Sequence, residues 1–227
     1  MTGPARLHGL DTLRGLAVFL MLLFHFTYDL WLFGHVSDEF FRTPFWWGLP
    51  RFIVFVFFWC VGASLELVHG QAIRWRAFWR RWFKLLGLAL LISLATYLTF
   101  PKSWIFMGTI HCIALVSILA LPFLHWPKLR LPTFFLILIA QYALGFDIAW
   151  LATFFPQQTM DFIPPYPWFW VVLLGMMTGP WVLQHWRLPA HPLFEFLGRH
   201  ALLIYLIHQA LFYALFSLVA WTFAPRA

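Results

Sequence analysis

Hydrophobic residues in this chain run in blocks of about twenty, the length an α-helix needs to cross a bilayer core. Short breaks rich in Pro, Gly, Lys and Arg separate the blocks. The pattern predicts helical spans at about 10–33, 45–68, 82–100, 104–124, 132–151, 166–186 and 197–223, seven in all. Pro44, Pro101, Pro127, Pro132, Pro164, Pro165 and Pro189 stand at or near the boundaries, where the loss of a backbone N–H does least harm to a helix. The expected architecture is all-α: a polytopic transmembrane helix bundle forming one integral membrane domain over 1–227. No internal repeat and no low-complexity linker divides it.

The first block departs from a plain apolar anchor. At about 100° per residue, Asp11, Arg14, His25 and Asp29 fall on one stripe of a helix otherwise made of Leu, Phe, Met and Val. A charged side chain at the bilayer centre costs roughly 2.5–3.5 kcal/mol on insertion scales unless it faces protein or water. Four ionisable groups on one face therefore predict a hydrated cavity lined by this helix. The block is also too long and too polar for a cleavable leader, and no small-x-small site follows it.

Composition agrees. The 227 residues are 63% hydrophobic and 10% charged, whereas soluble domains carry about 25% charged residues. The net charge is +7. Nucleic-acid binding is set aside as its cause, because the cations sit in breaks between apolar blocks, where lipid headgroups and topology account for them. Taking alternate sides, Arg6, Arg14, Arg74, Arg76, Arg80, Arg81, Lys84, Lys128, Arg130, Arg187 and Arg199 oppose Arg42, Arg51, Lys102 and Arg226. The positive-inside bias puts the N-terminus in the cytoplasm. Trp31, Trp46, Trp47, Trp79, Trp82 and Trp104 lie near block ends, as interfacial anchors do. Cys60 and Cys112 lie inside apolar blocks and are expected as free, packed thiols.

Candidate chemistry follows from the polar residues left inside the blocks. His25 and Asp29 are four apart, so their side chains can meet, and a carboxylate on one imidazole nitrogen leaves the other as a base. Arg14 can pair with Asp11 at i,i+3 or hold an anionic group. By helical rise, about 1.5 Å per residue, His25, His111 and Arg51 come to a similar depth, with His208 nearer the middle. Tyr205 and His208 sit three apart on the last block. The stretch 73–84, rich in Arg and Trp, reads as a basic loop at lipid headgroups, and Arg80, Arg81 and Lys84 could also dock a polyphosphorylated cofactor. The outer connection 152–165 carries Asp161 between stiffening prolines and fits either a lid or a plain connector. Glu66 reads as an interface residue. No metal site is expected.

Four stretches together carry a family resemblance: Leu10-Asp-x-Leu-Arg-Gly-Leu-Ala through Phe24-His-Phe-x2-Asp29, Ile110-His-Cys-Ile-Ala-Leu115, Asp161-Phe-Ile-Pro-Pro-Tyr-Pro-Trp-Phe169, and Leu197-Gly-Arg-His-Ala-Leu-Leu-Ile-Tyr-Leu-Ile-His-Gln209. They resemble small bacterial membrane proteins related to the catalytic domain of heparan-α-glucosaminide N-acetyltransferase. The two ends also resemble the wider superfamily of membrane acyltransferases that acetylate surface glycans. The resemblance implies a multi-pass protein of the bacterial inner membrane that takes an acetyl or other acyl group from cytoplasmic acyl-CoA. A sugar hydroxyl or amine at the outer face would receive it. It implies His25 as the catalytic histidine and Arg14 as the matching arginine of the first helix. On this expectation Asp29 orients His25, Arg51, His111 or Tyr205 stabilises the oxyanion, Arg14, Asp11, Arg80, Arg81 and Lys84 serve the cofactor, and Asp161, Tyr205 and His208 serve the acceptor. Membrane lipids are the expected partners, with a homo-oligomer left open. Two other classes stay open on the residues alone: a proton-coupled transporter, since Asp/His stripes also build proton relays, and a b-type haem protein using two of His25, His111 and His208.

Overall fold

The computed structural model describes residues 8–148, 159–185 and 191–223. Among these, helix dominates, and five helices are long and apolar enough to cross a membrane: α1 (His8–Leu32), α3 (Pro44–His69), α4 (Trp75–Thr99), α8 (Pro165–His185) and α10 (Ala201–Phe223). Shorter helices complete the set: α2 (Asp38–Phe41), α5 (Thr109–Leu119), α6 (Leu121–His125), α7 (Arg130–Leu138) and α9 (Pro192–Arg199). The chain divides into two compact units, one formed by residues 1–57 and 186–227, the other by 58–185.

In the first unit, α1 packs against α9 and α10. Helices in a bilayer gain little from hydrophobic burial, so close approach of backbones must supply the contact. Gly15 and Gly198 provide it. A Cβ on Gly15 would collide with the Phe194 carbonyl, and one on Gly198 with the Asp11 carbonyl. Val18, Met21, Trp46, Leu49, Ile53 and Leu197 fill the core around this crossing. Phe26 of α1 and Phe33, just past its end, interleave with Phe212, Tyr213 and Phe216 of α10, with ring centroids 5.4 to 5.9 Å apart. Glu195 of α9 is buried and is held by His8 at 3.0 Å and Arg199 at 3.3 Å. The expected last span, 197–223, is interrupted at His200 (φ −103°, ψ 13°), so its first turn belongs to α9 instead.

In the second unit, Gly62, Gly175 and Gly179 let α3 and α8 touch backbone to backbone, and Trp59 Nε1 donates to Thr178 Oγ1 at 3.0 Å across that contact. Glu66 lies in the last turn of α3. It makes a 2.7 Å ion pair with Arg130, whose Nε also donates to the Phe123 carbonyl at 2.9 Å. Removing one partner of such a buried pair typically costs about 3–5 kcal/mol.

Two expected spans are shorter than the pattern suggests. Over 104–124, helix begins only at Thr109, because Gly108 is extended (φ −85°, ψ −175°), and Pro122 starts a new short helix after Ala120. Over 132–151, the helix ends at Leu138, widens into a π turn at Ile139–Ala143 and stops at Gly145, whose φ of +62° suits glycine; the end of this expected span lies outside the described residues. The expected basic loop is also corrected: the chain is helical from Trp75. Residues 75–84 contain no helix breaker, and His69 Nδ1 accepts the Arg74 N–H at 3.1 Å just before the first turn.

Candidate active site

The polar stripe of α1 is present, with a different wiring. Asp11 and Arg14 pair at 3.1 Å, as the i,i+3 spacing predicts. Asp29 is fully buried, and its partner is on α10: Gln209 Nε2 donates to both carboxylate oxygens, at 3.0 and 3.3 Å. The expected bond from His25 to Asp29 is not made. A side-chain amide from a facing helix can span both oxygens of the carboxylate, which an imidazole on the same helix cannot do as well. The His25 ring leans instead on His208, with centroids 4.7 Å apart and planes at 62°.

The hydrogen-bond partners fix the chemical state of His208. Its Nδ1 lies 2.9 Å from the Tyr205 carbonyl and 3.1 Å from the Ile204 carbonyl. Carbonyls only accept, so Nδ1 carries the hydrogen and Nε2 is a bare lone pair. That Nε2 is buried and has no partner among the described residues. The same logic applies to Gln209. Its amide nitrogen faces the carboxylate, so its Oε1 is the acceptor left over, and it too is buried and unpartnered. Each buried orphan acceptor costs about 1–3 kcal/mol. Neither nitrogen of His25 has a hydrogen-bond partner among the described residues. The α1–α10 seam thus gathers a carboxylate, two orphan acceptors and an uncommitted imidazole, with the Tyr205 ring 5.8 Å from His208. It can take up a hydrogen-bond donor and its proton.

Arg51 does not join this group. It is exposed, its guanidinium lies 3.7 Å over the Trp47 ring, and it donates to the Trp47 carbonyl at 2.6 Å. One turn of its own helix satisfies it.

His111, in the second unit, is fully occupied. The Ser93 hydroxyl has one hydrogen and gives it to the Ile105 carbonyl at 2.8 Å, so it must accept from His111 Nε2, also at 2.8 Å. His111 Nδ1 is then the acceptor, and it receives the Gly108 N–H at 3.3 Å. The ring ties the non-helical 104–108 segment to α4. Asp161 does related work. Its Oδ2 accepts the Thr109 N–H at 3.1 Å and the Thr109 hydroxyl at 3.4 Å, capping the exposed donors at the start of α5. Burial pushes the Asp161 carboxyl above the usual carboxylate range, against the pull of the two Thr109 donors. Around it the chain is pinned: Met160 N donates to Ser103 O at 3.1 Å and Ile163 N to Met107 O at 2.8 Å. The described part of the expected lid is a fastened connector. On α4, Arg76, Arg80 and Lys84 form an exposed basic row beside Trp75, Trp79 and Phe83, and Arg81 is half-buried.

The sequence pattern puts Gln209 on the last helix but assigns no role to it, to Ser93 or to Thr109. A lone polar residue in an apolar helix was the available signal for Gln209 and Ser93.

The family model for the catalytic region of heparan-alpha-glucosaminide N-acetyltransferase matches residues 6–210. The chain belongs to that family. No curated protein and no solved structure matches it. The matched range runs from before the α1 stripe to just past Gln209, so the whole His25–Asp29–His208–Gln209 group lies within the N-acetyltransferase catalytic region. Membership in this N-acetyltransferase family, with five apolar helices of spanning length, points to an integral membrane enzyme of the acetyltransferase type.

Proposed function

We propose that this protein transfers an acetyl or other short acyl group from cytoplasmic acyl-CoA to a sugar hydroxyl or amine at the outer face of a bacterial inner membrane. His25 is its general base. The observation that carries this reading is the uncommitted His25 imidazole, set among buried acceptors within the matched family region. The acceptor O–H or N–H gives its proton to His25 as its heteroatom attacks the thioester carbonyl. The C–S bond then breaks and the CoA sulfur takes the proton back. Positioned proton transfer of this kind contributes roughly 100- to 10,000-fold. Two basic groups, each within one unit, carry positive charge suited to CoA phosphates: Arg14, held by Asp11, in the first, and Arg80, Arg81 and Lys84 of α4 in the second.

The haem alternative loses support. The His25 and His208 rings are in direct contact, so no macrocycle fits between them, and both His111 nitrogens are engaged. The transporter alternative keeps one point in its favour, the buried acceptor cluster, which would also suit a proton relay.

The test is purified protein in nanodiscs with isotopically labelled acetyl-CoA and an amino-sugar or glycan acceptor. Labelled product and free CoA are expected, with transfer lost in His25→Ala. Full transfer by His25→Ala would overturn the assignment. Acceptor uptake into proteoliposomes with no acyl donor would favour the transporter.

A further inference from the structure

We propose that His208 is the positioning residue of His25, in the place the sequence suggested for Asp29. Its Nε2 lone pair accepts the N–H of one His25 nitrogen and so fixes which His25 nitrogen stays bare toward the acceptor. This assignment refines the acyl-transfer reading above and rests on it only for its kinetic test.

Four observations support it. First, the proton on His208 is locked: Nδ1–H is shared by the Tyr205 and Ile204 carbonyls of its own helix, so the neutral ring presents a lone pair at Nε2 to a neutral His25. Second, that lone pair is buried with no other partner among the described residues, while the nearest ring with a spare N–H is His25, 4.7 Å away centroid to centroid. The N–H···N bond requires the His25 side chain to turn from this T-shaped contact. Third, Asp29 is already taken. Both its oxygens face the Gln209 amide, and the i,i+4 alternative is unused. Fourth, the Asp29–Gln209 bond has a consequence for His208 next to it. Gln209 is adjacent to His208 and Asp29 is one turn from His25, so this bond locks α10 in the register that sets one imidazole against the other.

The chemistry differs from that of a histidine held by a carboxylate. A neutral lone pair orients the base without adding negative charge to the apolar seam. When His25 takes the acceptor's proton on its bare nitrogen, the imidazolium N–H on the other side strengthens its bond to His208 Nε2, and that proton can cross to His208. As the thioester C–S bond breaks, the proton returns through His25 to the CoA sulfur. One X–C bond forms, one C–S bond breaks, and one proton moves from the acceptor to sulfur.

The experiment is ¹⁵N NMR of histidine-labelled protein in nanodiscs, with neither donor nor acceptor present, followed by steady-state kinetics. In the wild type we expect His208 protonated at Nδ1 and His25 in a single tautomer. In His208→Leu we expect His25 to divide between both tautomers. His208→Gln should restore one, because the amide oxygen accepts as Nε2 did. In the kinetic test, His208→Leu should lower kcat by about 100-fold, the lower end for proton-transfer groups, with KM for acyl-CoA little changed, and His208→Gln should recover most of the loss. A wild-type His25 already divided between tautomers, or a His208→Leu variant with unchanged kcat, would overturn the proposal. If His208→Leu does not fold, the wild-type spectrum decides. If the wild type transfers no acyl group, the acyl-transfer reading fails while the tautomer measurement still tests this one.

Discussion

His111 and His208 start from the same position in chemical terms. Each is an imidazole on an apolar helix, with its Nδ1 within hydrogen-bond reach of nearby backbone groups. They end differently. The Nδ1 of His111 receives an N–H and its Nε2–H goes to Ser93, so the ring closes a chain of bonds that joins the 104–108 segment to α4. The Nδ1 of His208 gives its hydrogen to carbonyls, and its Nε2 is left bare and buried beside a second imidazole. Depth in the membrane and side-chain type are therefore poor guides to which histidine can act on a substrate. The count of unsatisfied ring nitrogens separates them, because a satisfied ring must break a bond before it can accept a proton.

The comparison is broken most directly at the proposed base. His25→Ala should reduce acyl transfer by roughly 100- to 10,000-fold and cost only about 0.5–1.5 kcal/mol in stability, the worth of the single bond proposed between its ring and His208 Nε2. The paired measurement is transfer rate and thermal unfolding on the same preparation. A variant that unfolds early while keeping its activity per folded molecule would put His25 with His111.

His111→Leu should do the reverse. It leaves the Gly108 N–H without an acceptor and the Ser93 hydroxyl without its donor, so a loss of about 1–3 kcal/mol in stability is expected. Transfer per folded molecule should be retained. Denaturant unfolding in mixed micelles gives the first number and kcat the second. A folded, stable His111→Leu with no activity would make His111 part of the chemistry and erase the distinction.

Asp29→Asn tests how the seam is held. The amide keeps an acceptor for Gln209 and removes the charge, so the register of α10 against α1 survives at a modest cost, less than the about 1–3 kcal/mol expected for Asp29→Leu. If Asp29 instead orients His25 directly, Asn would cost as much activity as His25→Ala; transfer rates of the two variants side by side decide it.

Much of this was legible from the residues. The apolar blocks gave the long helices, because run length alone decides whether a segment can span. The i,i+3 spacing gave the Asp11–Arg14 pair, and the stripe on α1 gave the right face. What failed was partner choice. Spacing says that His25 can reach Asp29; it cannot say that Gln209, 180 residues away, has already taken both oxygens. Arg51 failed for the same reason in reverse, since a partner one turn away, Trp47, outcompeted any distant one. The two shortened spans depended on Gly108 and on the π turn at Ile139–Ala143, where local backbone geometry overrides an apolar run.

The smallest expected effect lies at Asp161, and its sign is the informative part. A capping carboxylate usually stabilises a helix start, and it does so more when ionised. Here burial outweighs the two Thr109 donors, and the folded-state carboxyl titrates above its ordinary value of about 3.9. The folded protein then binds more protons than the unfolded chain over the interval between the two values. Stability must fall as pH rises through that interval, and it stays at the lower level above it. Asp161→Asn keeps an oxygen to accept the Thr109 N–H and has no charge to bury. Its unfolding midpoint should lack this pH-dependent fall and should equal or slightly exceed that of the wild type at neutral pH. A wild type that instead gains stability as pH rises from about 4 would mean that the ionised cap outweighs its desolvation. Asp161 would then resemble an exposed helix cap, and the half-buried connector between 103–107 and 159–163 would have to be more hydrated than its hydrogen bonds indicate.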